Sequence, residues 1–154
     1  QEFDALDHMP CFNKKVHIDQ RDGIASFKAL LPPLEKRGLI FIDPSYELKE
    51  EYKKIPEAIK RAFSHFSNGV FCLWYPLINQ RAKEQLHKGM SDIKATNALV
   101  VEFNLNDPSA EGMTGCGLWV INPPYTFAQD MLRALKVLKN YFNPGSSSYT
   151  IFNP

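Results

Sequence analysis

Residues 38–47, Gly38-Leu39-Ile40-Phe41-Ile42-Asp43-Pro44-Ser45-Tyr46-Glu47, form an apolar run that stops abruptly on Asp-Pro-x-Tyr. A continuous apolar tetrad after a glycine, followed by a long helical pattern, predicts a strand covered on both faces by helices. Asp43 then stands at the carboxyl end of that strand. In open α/β sheets ligands bind at that rim, where loops carry function and the strands hold them still. Asp43 is therefore the leading candidate for a functional group.

The pattern [D/N/S]-P-P-[Y/F] at such a strand end marks enzymes that methylate exocyclic amino groups of nucleobases with S-adenosylmethionine. Here Ser45 stands where the second proline would be. The chemistry accounts for the residue types. The N6 amine of adenine is a poor nucleophile because its lone pair is delocalised into the ring. A carboxylate (Asp43) and the Pro44 carbonyl can each accept one of its N–H bonds, turning the lone pair toward a methyl sulfonium. Proline stiffens that carbonyl. Tyr46 offers an aromatic face on which an extruded base can stack. Asp, Pro and Ser are also turn formers, so the tetrad by itself is equally compatible with a turn that closes a strand.

At 154 residues, with 44% hydrophobic and 12% aromatic content, the chain fits one globular domain with a sizeable core. The formal charge of +1 lends little support to phosphate binding through massed Lys and Arg. Cys11, Cys72 and Cys116 are odd in number and lack Cys-x-x-Cys spacing, and His8, His17, His65 and His87 lack metal-like spacing. No metal site is expected, and three reduced thiols suit the cytosol. The apolar stretch 70–78 is broken by Pro76 and too short to span a bilayer. There is no signal-peptide pattern, and Gln1 in place of Met points to sequence upstream.

Along the chain, residues 14–19 alternate as a short strand ending near Asp22-Gly23, and a helix over 23–31 is closed by Pro32-Pro33. Residues 48–66 form a long amphipathic helix whose Lys and Glu residues make a solvated face, with Pro56 bending or shortening its start. Residues 70–75 make a second apolar strand ending on Pro76, completing a βαβ unit. A helix over 79–90 stops at Gly89. Strands over 97–105 and 117–122 have no helix between them and should pair antiparallel. A helix over 127–142 and a strand over 148–152 close the chain, with residues 145–148 a loop between them.

Asn122-Pro123-Pro124-Tyr125 fits the methyltransferase pattern better than the tetrad at Asp43. If its strand runs antiparallel to its neighbours, however, Asn122 lies on the opposite rim and faces away from the ligand. Pro123-Pro124 would then end the strand, with Tyr125 packed at its end. By the same geometry the connection at 106–116, with its glycines and Thr114, lies on the functional rim.

Several stretches together resemble the RlmJ family: Asp22-Gly23, Leu31-Pro32-Pro33, Arg37 through Glu47, Leu73-Trp74-Tyr75-Pro76, Gly112-Met113-Thr114, and Val120-Ile121-Asn122-Pro123-Pro124. Those are bacterial enzymes that methylate N6 of an adenine in large-subunit (23S) ribosomal RNA. The resemblance implies an α/β fold with a Rossmann-like class I methyltransferase sheet, helices on both faces, and an antiparallel strand pair near the carboxyl terminus. It implies S-adenosyl-L-methionine as cofactor, 23S ribosomal RNA as partner, a monomer, and a cytoplasmic location without membrane association. Asp43 would be the catalytic acidic residue and also contact the cofactor. Asp22 and Gly23 would contact the cofactor's adenosine, and Pro44, Ser45 and Tyr46 would hold the target base. Asn122 would not be catalytic.

Family members usually carry a second proline where this chain has Ser45. Their amino-terminal half carries a glycine-rich cofactor loop, an acidic residue for the ribose and histidines near the site, none of which has a counterpart here. In the strand order 3-2-1-4-5-7-6, the absent first two strands would lie between the strand at 14–19 and that at 38–42. Residues 1–154 are thus expected to be the carboxyl-terminal part of a single methyltransferase domain, with a truncated product as the alternative. Methylation of adenine in DNA, and a non-catalytic nucleic-acid-binding remnant, are the competing functions. The residues around Asp43 would serve an adenine in either polymer.

Overall fold

In a computed structural model of the chain, the structure describes residues 16–106, 112–142 and 145–154. The elements in order are α1 (Gly23–Leu30), β1 (Leu39–Ile42), α2 (Glu51–His65), β2 (Val70–Leu77), α3 (Gln80–Ser91), β3 (Ala98–Asn104), β4 (Gly115–Ile121), α4 (Phe127–Tyr141) and β5 (Ser148–Phe152). The strands form one sheet in the order β1-β2-β4-β3-β5. β1 and β2 are parallel, β4 is antiparallel to β2 and β3, and β5 is antiparallel to β3. The α/β class, the βαβ unit and the antiparallel pair are as the sequence predicts. The strand expected at 14–19 is not formed over 16–19, while Lys14 and Lys15 lie outside the described residues.

The core lies between the sheet and helices α1–α3. On that face β2 contributes Phe71, Leu73 and Tyr75, β4 contributes Trp119 and Ile121, and β3 contributes Val100. Helix α2 answers with Tyr52, Ile55, Ile59 and Ala62, whose spacing of three and four residues aligns them on one side. Each fully buried large side chain contributes roughly 1.5–3 kcal/mol. A smaller cluster of Leu99, Val101 and Leu135 seats α4 on the other face. Pro56 does not stop α2, which is continuous around it. Gly89, expected to end its helix, lies within α3, and a Cβ there would meet the Pro56 ring at 2.8 Å. Its role is close helix packing rather than termination.

Two features of the strands depart from expectation. β1 is covered on one face, where Ile42 is buried, but Leu39 and Phe41 are 67% and 58% exposed on the other. Helix α4 covers that face over β3 and β5, and no described element reaches β1 there. β2 continues through Pro76 to Leu77. The Leu77 carbonyl accepts from Thr114 on the β4 side, so the backbone of Pro76 faces the β1 side. β1 has already ended there, its last pair being Ile42 with Leu73. A residue without an N–H costs no ladder bond at such an edge.

One polar group is built into the core face. Tyr75 and Glu102 flank Gly117 in register across β2, β4 and β3. A Cβ at Gly117 would lie 2.3 Å from the Tyr75 ring, so the missing side chain lets that ring cross β4 and donate its hydroxyl to Glu102 at 2.9 Å. Lys83 Nζ reaches the other carboxylate oxygen at 2.7 Å. Since the Tyr75 proton goes to Glu102, the 2.9 Å contact between the Tyr75 oxygen and His87 Nε2 requires the imidazole nitrogen to donate. Burial would raise the Glu102 carboxyl, but hydrogen bonds from His87, Lys83 and Tyr75 and the Lys83 charge overcome it and hold it down to about 2.

A depressed carboxyl contributes stability that is complete above its unfolded value and lost as pH falls through its folded one. Loss of on the order of 3 kcal/mol is expected between about pH 5 and pH 2, read by urea unfolding across that range. Glu102→Gln should lower stability near neutrality by a similar amount and flatten this acid limb. An unchanged limb would show that other groups govern it.

Candidate active site at the carboxyl end of β1

β1 and β2 are parallel, so the end of β1 and the Leu77 end of β2 share one rim. β3 is parallel to β2 through β4, which brings Asn104 and the start of β4 at Gly115 to the same rim. Asp43 leaves β1 there, exposed, with Pro44 half-buried and Ser45 exposed. The Asp43 carboxylate makes no hydrogen bond or ion pair with the described residues, and no described donor takes the Pro44 carbonyl. Two acceptors to which no described residue donates thus stand on consecutive residues.

Tyr46 behaves differently from expectation. Its ring is 6% exposed, packed at 4.7 Å from Tyr52 and 6.4 Å from Trp74 between ring centroids. The broad stacking face expected of it is turned into the core. Its hydroxyl donates to the Trp74 carbonyl at 3.0 Å, and burial pushes that hydroxyl far above the ordinary tyrosine range, keeping it a neutral donor. Tyr46 also has φ of +54°, a left-handed backbone that costs an aromatic residue about 1–3 kcal/mol. Burying the ring and making the hydrogen bond return roughly 2–4 kcal/mol, enough to hold the turn. Tyr46 therefore anchors the loop that carries Asp43.

Asp22 caps α1, its Oδ1 accepting from the Ala25 N–H at 3.0 Å. Beside it the Cβ position at Gly23 meets no atom within 4 Å. An exposed carboxylate at the start of a helix, next to open backbone, can accept from an amine or a ribose hydroxyl and admits a flat ring. This much fits the adenosine part of a nucleoside cofactor. No hydrogen bond or ion pair joins Asp22 to Asp43 among the described residues.

Asn122 lies at the end of β4, on the rim opposite Asp43, as the antiparallel pairing requires. Its side-chain amide donates to the Ser67 and Gly69 carbonyls at 2.8 and 3.0 Å, clipping the α2–β2 turn. Tyr125, expected to pack at the strand end, is fully exposed. Burial pushes the Cys72 thiol up to about 11 and raises Cys116 as well, which makes both poor nucleophiles. No cluster of three or more His, Cys, Asp or Glu among the described residues could hold a metal ion. No helix among them is long and apolar enough to cross a membrane.

Sequence reading placed Thr114 on the Asp43 rim but missed the hollow it lines there together with Leu77, Ile78, Asn79, Gln80, Lys83 and Asn104. It also missed the Glu102 cluster. The signal was present: Glu102 is the charged residue inside an otherwise apolar strand, and Lys83 and His87 are four apart on one helix face.

A family model described as "Ribosomal RNA large subunit methyltransferase D, RlmJ" matches residues 4–152. The chain is 35% identical over 141 residues to Ribosomal RNA large subunit methyltransferase J of Haemophilus influenzae, covering 90% of this chain and 50% of that protein. The protein of the same name from Escherichia coli is 33% identical over 141 residues, covering 89% and 49%. A crystal structure of protein LPL1258 from Legionella pneumophila, described under the DUF519 family, superposes with a TM-score of 0.94 at 55% identity, covering 99% of this chain and 57% of that one. The chain spans about half the length of the curated relatives it matches.

Tyr46→Phe leaves the Trp74 carbonyl without its donor, and is expected to lower stability by about 1–2 kcal/mol in urea unfolding while speeding amide exchange at Leu48 and Glu51, whose N–H groups are hydrogen-bonded just past the turn. Unchanged exchange there would show that the hydroxyl does not hold the turn.

Proposed function

The chain belongs to the RlmJ family of ribosomal RNA large subunit methyltransferases, and from that premise we propose that it forms the carboxyl-terminal part of a single domain that methylates N6 of an adenine in 23S ribosomal RNA. The proposed enzyme is a cytoplasmic monomer using S-adenosyl-L-methionine. The observation that carries this reading is the pair of acceptors at the β1 end: the exposed Asp43 carboxylate and the adjacent Pro44 carbonyl, on a turn clamped by Tyr46.

In this reading the two N–H bonds of the target amine donate to Asp43 and to the Pro44 carbonyl. Both bonds strengthen as the nitrogen becomes tetrahedral and positive, so they favour the transition state over the ground state. Asp43 stabilises the developing ammonium, whose surplus proton then leaves toward solvent or the carboxylate. Pro44 and Ser45 line the base, and Tyr46 holds it indirectly by fixing their backbone. Asp22 and Gly23 would hold the adenosine of the cofactor, with Asp43 bordering it. The cofactor supplies an electrophilic methyl group when bound.

Asp43→Asn replaces an acceptor with a group that can turn its NH₂ to the base, and methyl transfer by the full-length protein should fall on the order of 100-fold with the fold intact. Near-normal turnover on ribosomal RNA would remove Asp43 from the chemistry. Equal turnover on a DNA strand of the same sequence would overturn the proposed RNA substrate.

Asp22→Ser keeps a helix cap but removes the carboxylate. Calorimetry should show S-adenosylhomocysteine binding to the full-length protein weakened about tenfold, with stability changed by less than about 0.5 kcal/mol. Undiminished affinity would exclude Asp22 from the cofactor site.

A further inference from the structure

The hollow at the ends of β2 and β3 occupies about 140 Å³, several times the ~30 Å³ share of one water. Its floor is stapled. The Leu77 carbonyl accepts from both the Thr114 N–H at 2.9 Å and the Thr114 hydroxyl at 3.1 Å, and Leu105 N–H donates to the Thr114 carbonyl at 2.9 Å. The polar side chains around it have fixed orientations. Asn79 Oδ1 accepts from Ala82 N–H at 2.8 Å, and Asn104 Oδ1 accepts from Asn106 N–H at 2.7 Å. Each oxygen is therefore committed to the backbone, and neither amide nitrogen donates to a described residue. Lys83 gives one proton to Glu102 and is 28% exposed, with two more protons to offer.

Two carboxamides whose NH₂ groups donate to no described residue, and the Lys83 ammonium that also pairs with Glu102, thus line one hollow, a donor-rich arrangement suited to anionic oxygen. The sheet order puts it one to three strand spacings sideways from Asp43, and the β1–β2 register, with Ile42 opposite Leu73, sets it roughly 10 Å farther along the strand direction, about 10–20 Å away in all. A nucleotide a few steps along the strand from a base held at Asp43 falls in that range. Within these residues a formal charge of +1 provides little diffuse attraction for a polyanion, so discrete donors of this kind are what this part of the protein offers to set the register of the strand. We infer that this hollow binds a phosphodiester of the RNA strand a few nucleotides from the target adenine, with Asn79, Lys83 and Asn104 as positioning residues. The inference rests on the function proposed above.

Asn79→Asp and Asn104→Asp test it, because each keeps the oxygen that holds the local backbone and removes the NH₂. In the full-length protein, with 23S ribosomal RNA as substrate, each should raise KM for RNA about tenfold, leave kcat within about twofold and leave S-adenosylhomocysteine affinity unchanged. Gln129→Glu on exposed α4 adds the same charge away from the hollow and should leave KM unmoved. An unaltered KM in the Asn variants, or an equal rise with Gln129→Glu, overturns the phosphodiester site while the wild type's activity sustains the proposed function. A wild type that transfers no methyl group to RNA overturns both.

Discussion

The hydrogen bond from Tyr46 to the Trp74 carbonyl closes the place where the sheet runs out of strand. β1 is four residues long and β2 eight, so the edge of β2 beyond Leu73 has no neighbouring strand in the described structure. Its first outward carbonyl receives a tyrosine hydroxyl instead, and its next outward position is a proline with no N–H to satisfy. The chain leaving β1 can therefore turn away immediately, and Asp43 emerges at the rim rather than continuing into a ladder. The left-handed Tyr46 backbone is tolerated because the same ring that strains it is buried against Tyr52 and Trp74. Strain and anchor are one residue.

Beside that turn, one residue farther along β2 than Trp74, the row Tyr75–Gly117–Glu102 ties β2, β4 and β3 to one another and, through Lys83 and His87, to α3. A carboxylate this buried is costly unless its partners are complete. Here each oxygen has a donor. Lys83 belongs both to this row and to the hollow above it, so the surface donors stand on a rigid support rather than on a loop. Such a foundation is what a site needs if geometry, rather than net charge, is to select its ligand.

Most of the architecture could be read from the sequence, because apolar runs at 39–42 and 70–75 and the helix-length spacing between them encode a parallel pair directly. The ten-residue connection without helical pattern between β3 and β4 likewise encoded an antiparallel one. The place of Asp43, exposed at the end of β1, was legible because it closes an apolar run. Other features depend on long-range contacts that local pattern does not carry. The direction of the Tyr46 ring is set by space beside Trp74. Gly89 looks like a stop until Pro56 is packed against it, and Pro76 looks like a break until its backbone is seen to face an edge. The alternation at 16–19 has no neighbour to pair with in the described structure, and the amide-lined hollow gathers residues from three separate segments.

Gly117 carries a consequence for how this sequence can drift. The Tyr75 ring occupies the volume that any side chain at position 117 would need, so the two positions are not free to vary separately. Enlarging one before shrinking the other passes through an intermediate in which the Glu102 carboxylate loses a donor inside the core. The pair forms a ratchet: a side chain at 117 displaces the Tyr75 ring, and a smaller residue at 75 leaves Glu102 short of a donor.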